Sequence, residues 1–194
     1  MINFVVDRRK VNELRDLVGG SEKKLRQQLK IAVNETAKKT RGSMAKQVAD
    51  EIAASQKVIK TTIVTKQKAE ASQKVPTAVV TQKETRRIPL RDYKAKQTKQ
   101  GVSYTVNKSK GRQKIAGAFQ GPRPGVMKAS WRGRVFKRVG ATRLPIVQLF
   151  GPSPWGVFSK KKLKTPTVKE SRKELRRQVD RRLRFLRLKK SGAI

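Results

Sequence analysis

The residues that could do chemistry in this chain are cations, because the side chains that serve as nucleophiles, acid/base groups and metal ligands are missing or scattered. Its 194 residues include no Cys and no His. That removes thiol and imidazole catalysis, disulfides and Cys/His zinc sites. Glu170 and Glu174 stand on one expected helical face, where i,i+4 geometry suits pairing with neighbouring Arg better than acid/base work. Asp50-Glu51 has no second acidic cluster nearby in sequence, and metal-assisted hydrolysis needs several carboxylates converging on one point. Neither Gly117 nor Gly121 is followed by the Gly-Lys-Ser/Thr of a phosphate loop. No enzymatic activity, metal or cofactor is expected.

The cations are abundant: Lys+Arg number 50 against 13 Asp+Glu, for a formal charge of +37. From Tyr93 to Lys169 there is no acidic residue at all. Such a field repels itself in a compact state and calls for a polyanion, most commonly nucleic acid. Two connections concentrate it, Tyr93 to Gly101 and Asn107 to Lys114. Their Lys94, Lys96, Lys99, Lys108, Lys110, Arg112 and Lys114 are the candidate nucleic-acid contacts, and the composition leaves open whether that nucleic acid is DNA or RNA. Each connection reads either as a basic finger reaching a phosphate backbone or as a solvated hairpin loop. No zinc-finger spacing and no aromatic-basic consensus of the single-strand RNA modules is present, so contact is expected to be sequence-blind.

The elements that must position these cations follow from periodicity. Asp7 is placed to cap a first helix carrying Val11, Leu14, Leu17 and Val18, and Gly19-Gly20 to stop it. Ser21 then caps a long helix with Leu25, Leu29, Val33, Ala37, Met44, Val48 and Ile52 at helical spacing. Its small face of Ala32, Ala37, Ala45 and Ala49 permits close packing on a sheet or a neighbouring subunit. Gly42 interrupts the pattern and marks either a kink or a close approach. Ser55 starts a short helix through Val58, Ile59 and Ile63. Beyond Pro76 the pattern turns to strands: Thr77 to Thr81, Val102/Tyr104/Val106, Ile115/Gly117/Phe119, Arg134 to Val139 and Ile146 to Phe150. The Leu144 to Phe150 run is expected to be central sheet. On the Arg134–Val139 strand, Arg134 and Arg138 share a face with Phe136. Gly121 to Gly125 reads as a loop. Thr165 is expected to cap a final amphipathic helix with Pro166 at its first position, bearing Val168, Leu175, Val179, Leu183 and Leu186.

The fold class predicted is α+β: long N-terminal helices packed on an antiparallel sheet with basic loops, and a C-terminal amphipathic helix. One domain is expected over 1–194, with a helical part at 1–65, a sheet part at 76–153 and the last helix at 165–190. Aromatics make up only 5%, so the core is expected to be small and partly completed by partners. The N-terminus is too short an apolar run for a signal peptide, and no stretch approaches a membrane span. A soluble, intracellular protein with no membrane partner is the expectation.

Three segments taken in order carry a resemblance. They are Ile115-Ala116-Gly117-Ala118-Phe119, then Trp131 to Gly140 (WRGRVFKRVG), then Leu144 to Ser153 (LPIVQLFGPS). This order resembles the minor tail protein Z family of lambda-like tailed phages. The resemblance implies a structural virion protein of the neck or tail-completion region, at the head–tail junction, assembled in the host cytoplasm. It implies a homo-oligomeric ring, commonly six-fold, against or through which the genome lies, with other neck and tail proteins as neighbours. A ring would let neighbouring copies cover a small core. A ribosomal or nucleoid-type basic protein would share the composition and is the alternative.

Overall fold

The computed structural model of the chain describes residues 8–83, 87–121, 131 and 133–192. The expected cap Asp7 and most of the Gly121–Gly125 loop lie outside these residues. The protein is α+β, as its two periodicities predict. By internal contacts it divides into two compact units, Met1–Met44 with Ile63–Gln82 and Lys161–Ile194, and Ala45–Thr62 with Lys83–Lys160.

The first unit is built on helices. α1 spans Arg8–Leu17 and α2 spans Glu22–Glu51. Between them Gly19 and Gly20 take φ of +67° and +72°, a left-handed conformation that ends a helix at little cost for glycine. Ser21 Oγ lies 3.5 Å from the Lys24 amide at the start of α2, in the capping position. In this unit α2 buries Leu25, Leu29, Ala32, Val33, Ala37 and Met44. These recur on one helical stripe, as the sequence pattern requires. α5, Lys161–Lys190, runs antiparallel to α2, since Gln28 meets Arg182 while Lys39 meets Glu174. Its buried stripe holds Leu175, Val179 and Leu183, and also Thr167, Ser171 and Gln178. α1 lies along α5 through Lys10–Asp180 and Glu13–Arg187 ion pairs. An antiparallel hairpin of β1, Ile63–Gln67, and β2, Val79–Gln82, completes the unit. The Asn34 side chain of α2 clamps the connection after β1, donating to Ala69 O and accepting from Ala69 N, both at 2.9 Å.

Two expectations about these helices are corrected. α5 begins at Lys161, so Thr165 is not its cap and Pro166 lies inside it. Proline favours a first turn because the N–H it lacks has no helical acceptor there, but it is tolerated slightly further in at the loss of one donor. Gly42 does not interrupt α2, and a Cβ added there would meet nothing within 4 Å. Close packing is therefore not what it serves.

The second unit carries two three-stranded antiparallel sheets in place of a single sheet. One is β3 (Lys96–Thr98), β4 (Gly101–Tyr104) and β5 (Gln113–Ala116); the other is β6 (Ala118–Gln120), β7 (Val135–Arg138) and β8 (Ile146–Gln148). The Ile115/Gly117/Phe119 alternation predicts one strand, but Gly117 has φ +69° and breaks it into β5 and β6. The Leu144–Phe150 run is not central sheet. β8 is an edge strand, with Leu144 and Val147 exposed and Ile146 half-buried; only past it, at Leu149 and the exposed Phe150, does the run gain a second neighbour, through Leu90 N to Leu149 O and the Pro89–Phe150 bridge. The true interior of this unit is Val102, Val135, Ile59, Ile88, Tyr93 and the end of α2. α3, Gln56–Thr62, follows that end, and Ser55 Oγ lies 3.4 Å from the Val58 amide at its start; Ile63, expected within this helix, instead begins β1, whose β-branched run Ile63-Val64-Thr65 favours a strand. Ile52 bridges to Asn107 beside it. A short α4, Pro154–Phe158, capped by Ser153, closes the unit.

Candidate nucleic-acid interface

Tyr93 anchors the segment that presents the basic residues. Its ring is fully buried, its hydroxyl donates to Pro152 O at 2.8 Å, and its carbonyl accepts from Thr105 N at 2.9 Å. The ring is packed on Gly151, where a Cβ would stand 2.2 Å from a ring carbon. Burial, and then the charge of Asp92, push the phenol well above its ordinary range. Lys94 follows with φ +54° and turns the chain into β3.

Register then decides which cations share a face. Lys96 on β3 stands opposite Ser103 on β4, and Ser103 opposite Lys114 on β5. Directly opposed residues project to the same side of a sheet, so Lys96, Ser103 and Lys114 form one row. The neighbouring row, Gln97, Val102 and Ile115, projects to the other side, where Val102 is completely buried. Two strand spacings place the Lys96 and Lys114 backbones about 10 Å apart. Gly101 is required for this pairing: its φ is +147°, and a Cβ would stand 2.1 Å from Ile115 O.

Arg112 lies two residues before Lys114, on the same side. Its Nη2 donates to Ser103 Oγ at 2.9 Å, Ser103 O at 3.1 Å and Lys94 O at 3.0 Å. It is a clasp across the sheet edge, made by one nitrogen of the guanidinium. Lys114 Nζ donates to Gln100 Oε1. Lys99 sits in the β3–β4 turn, and Lys108 and Lys110 in a single 3-10 turn between β4 and β5. All seven predicted residues are exposed. The structure brings Lys94, Lys96, Arg112 and Lys114 to one region of the face. It leaves Lys99, Lys108 and Lys110 on the connections. Among the described residues, none of the seven takes part in an ion pair. Charges this close lie within about one Debye length at physiological salt and add to a common positive potential. Such a face can hold phosphates but carries no base-reading chemistry.

The cations of β7 are placed differently. Arg134 Nη1 donates to Gln148 Oε1 at 2.8 Å, and the Arg138 guanidinium stands 5.3 Å over the Phe119 ring. Phe119 opposes Phe136 in the β6–β7 register, and Trp131 packs 5.4 Å from Phe136. With Arg143, Leu144 and Ile146 these rings line a cavity of 610 Å³. Period-two alternation is the sequence signal for the Phe136/Arg138 face, and it holds. Among the described residues, no group of three or more His, Cys, Asp or Glu could hold a metal ion, and no described helix is long and apolar enough to cross a membrane.

Glu170 and Glu174 turn towards α2. Ser43 Oγ donates to Glu170, while Lys39 Nζ and Gln178 Nε2 both donate to Glu174 Oε1 at 2.6 Å. Burial works against the Glu174 carboxylate, but these hydrogen bonds and the Lys39 and Arg177 charges hold its pKa below the ordinary value. Its main cationic partner is thus Lys39 on the facing helix, with Arg177 more distant at 3.7 Å.

No protein-family model matches the chain, and neither a curated protein nor a solved structure matches it.

Proposed function

We propose that this protein is a structural, non-enzymatic virion component of a phage neck or head–tail junction, forming a ring of copies that lies against double-stranded DNA. The observation that carries the DNA contact is the exposed β3–β4–β5 face, with Lys96 and Lys114 on one side and no ion-pair partner among the described residues. The order of the Ile115–Phe119, Trp131–Gly140 and Leu144–Ser153 motifs supports the placement in a phage tail-completion role. The six-fold ring, the neighbouring neck and tail proteins and the virion location rest on that resemblance. The ribosomal or nucleoid-type alternative shares the basic face but requires no closed ring in a virion.

Two measurements test it. Binding to random-sequence duplex DNA across salt concentrations should show a steep slope. Replacing Lys94, Lys96, Lys108 and Lys114 with Gln should reduce it by about 0.9 per lost phosphate contact, with little dependence on DNA sequence. An unchanged slope rejects the DNA contact. Electron microscopy of assembled particles should show several copies in closed symmetry at the head–tail junction. A stable functional monomer absent from particles rejects the neck assignment.

A further inference from the structure

The outer face of α5 carries a charge separation that the sheet surface does not explain. α5 contains fourteen Lys and Arg and only three acidic residues. Each of the three is engaged by another helix: Glu170 by Ser43, Glu174 by Lys39, and Asp180 by Lys10. On the outer side, Lys169, Arg172, Lys173 and Arg176 recur at i, i+3, i+4 and i+7, which places them on one stripe. All four are exposed, and among the described residues none has an ion-pair or hydrogen-bond partner. Arg177, at the stripe's margin, is 3.7 Å from Glu174 and is partly compensated.

We infer that this stripe is a second binding surface for the sugar-phosphate backbone of duplex DNA, carried by the helical unit and separate from the lysines of the sheet. The inference rests on the proposed DNA contact and extends it to residues outside the basic loops. Three features favour nucleic acid over an acidic protein as the occupant. The stripe rises about 10.5 Å along the helix, which covers about three phosphates of one strand at 3.4 Å each. Two of its four cations are arginines, whose planar forks match phosphate oxygens two at a time. It exposes no large apolar side chain from Lys169 to Arg177, whereas a protein partner would be expected to find an apolar centre in its interface.

The test uses the full chain and random-sequence duplex DNA, with the salt dependence of binding as the readout. The K169Q/R172Q/K173Q/R176Q variant should lower the salt slope by about 2.7, at about 0.9 for each of the three phosphates the stripe covers. Its thermal melting should match the parent, because all four side chains are exposed. If the fourfold variant does not fold, the pairs K169Q/R172Q and K173Q/R176Q should each lower the slope by about half as much. R172K/R176K keeps both charges, so the slope should hold while affinity falls by a few-fold as the forks are lost.

The sheet variants of Lys94, Lys96, Lys108 and Lys114 are measured beside these. A slope lowered only by the sheet variants overturns the α5 surface and leaves the proposed DNA contact standing. A slope lowered only by the α5 variants supports this surface and removes the sheet from the reading. If neither set lowers it, both fall. An unchanged DNA slope together with lost retention on polyglutamate assigns the stripe to an acidic protein and overturns the inference.

Discussion

Removing the Tyr93 hydroxyl tests how the basic sheet is held in place. Tyr93 joins three segments of the second unit. Its amide donates to Leu90 O, its carbonyl accepts from Thr105 N, and its hydroxyl donates to Pro152 O at 2.8 Å. Tyr93→Phe deletes the last bond; Pro152 is exposed and its carbonyl can turn to water, so the cost is the net worth of the bond, about 0.5–1.5 kcal/mol. At about 2–4 °C per kcal/mol for a chain of this length, melting should fall by roughly 1–6 °C. Gly151→Ala attacks the same contact from the other side. The new methyl would stand 2.2, 2.6 and 2.9 Å from three Tyr93 ring carbons, an overpacking worth about 1–3 kcal/mol. Tyr93→Leu shortens the obstacle, so the two changes should be non-additive by more than about 0.5 kcal/mol in a double-mutant cycle. There is also a pH signature. Burial and Asp92 raise the folded phenol above its ordinary value of about 10. The unfolded chain therefore loses its proton first. The contribution is fully present below about pH 10 and is lost as pH rises towards the raised folded value. Tyr93→Phe should abolish this residue's share of the alkaline loss. Denaturation followed by circular dichroism at pH 7 and at pH 10–11 reads both effects. The reasoning fails if Tyr93→Phe melts like the parent at pH 7, or if Gly151→Ala costs the same with Leu at position 93.

Two further outcomes are expected. Glu174→Gln should cost about 1 kcal/mol at neutral pH, since Lys39 is partly exposed and such pairs are worth little. It should also remove this residue's share of acid sensitivity: the lowered folded pKa gives stability present above the ordinary Glu value of about 4.3 and lost as pH falls through the folded value, so the gap between parent and variant in urea titrations should be smaller at pH 3 than at pH 6. Ile146→Asp, on the half-buried edge strand β8, should cost under about 1 kcal/mol, whereas Val102→Asp in the centre of β3–β4–β5 should cost several; equal costs measured by chemical denaturation would show the edge assignment to be wrong.

Much of the helical framework is legible in the chain itself. Ser21 and Ser55 stand where helices begin, Gly19-Gly20 where one stops, and Leu25, Leu29 and Val33 keep the helical period through the buried face of α2. These signals are local, because capping and amphipathicity involve residues within a turn or two. The polar layer between α2 and α5 was not legible. Thr36, Thr40, Thr167, Ser171 and Gln178 are buried, although their types suggest the surface. The hydroxyls tolerate it by bonding backbone or one another: Thr36 to Ala32 O at 2.8 Å, Thr167 to Leu163 O at 2.8 Å, Ser171 to Thr167 O at 2.7 Å, and Thr40 to Ser171 at 3.0 Å. A satisfied hydroxyl can be buried at little cost, and the sequence does not show which ones are satisfied. The apolar Leu144–Phe150 run misled for the opposite reason. Hydrophobicity marks a strand, but its place at the edge depends on what pairs with its other side.

By itself, the sequence determined the charge, the absence of thiol and imidazole chemistry, the two periodicities that make the class α+β, and the exposed basic loops. Those properties are sums over residues or patterns among near neighbours. Only the tertiary structure decided that Gly117 splits one alternating run between two sheets. It likewise decided that Lys96 and Lys114 share a row across Ser103, that Arg112 clasps the sheet edge, and that all three α5 carboxylates engage side chains of other helices. Each of these depends on strand register or helix partnership between residues far apart in the chain, and a shift of one residue in register would send every side chain of a strand to the opposite face.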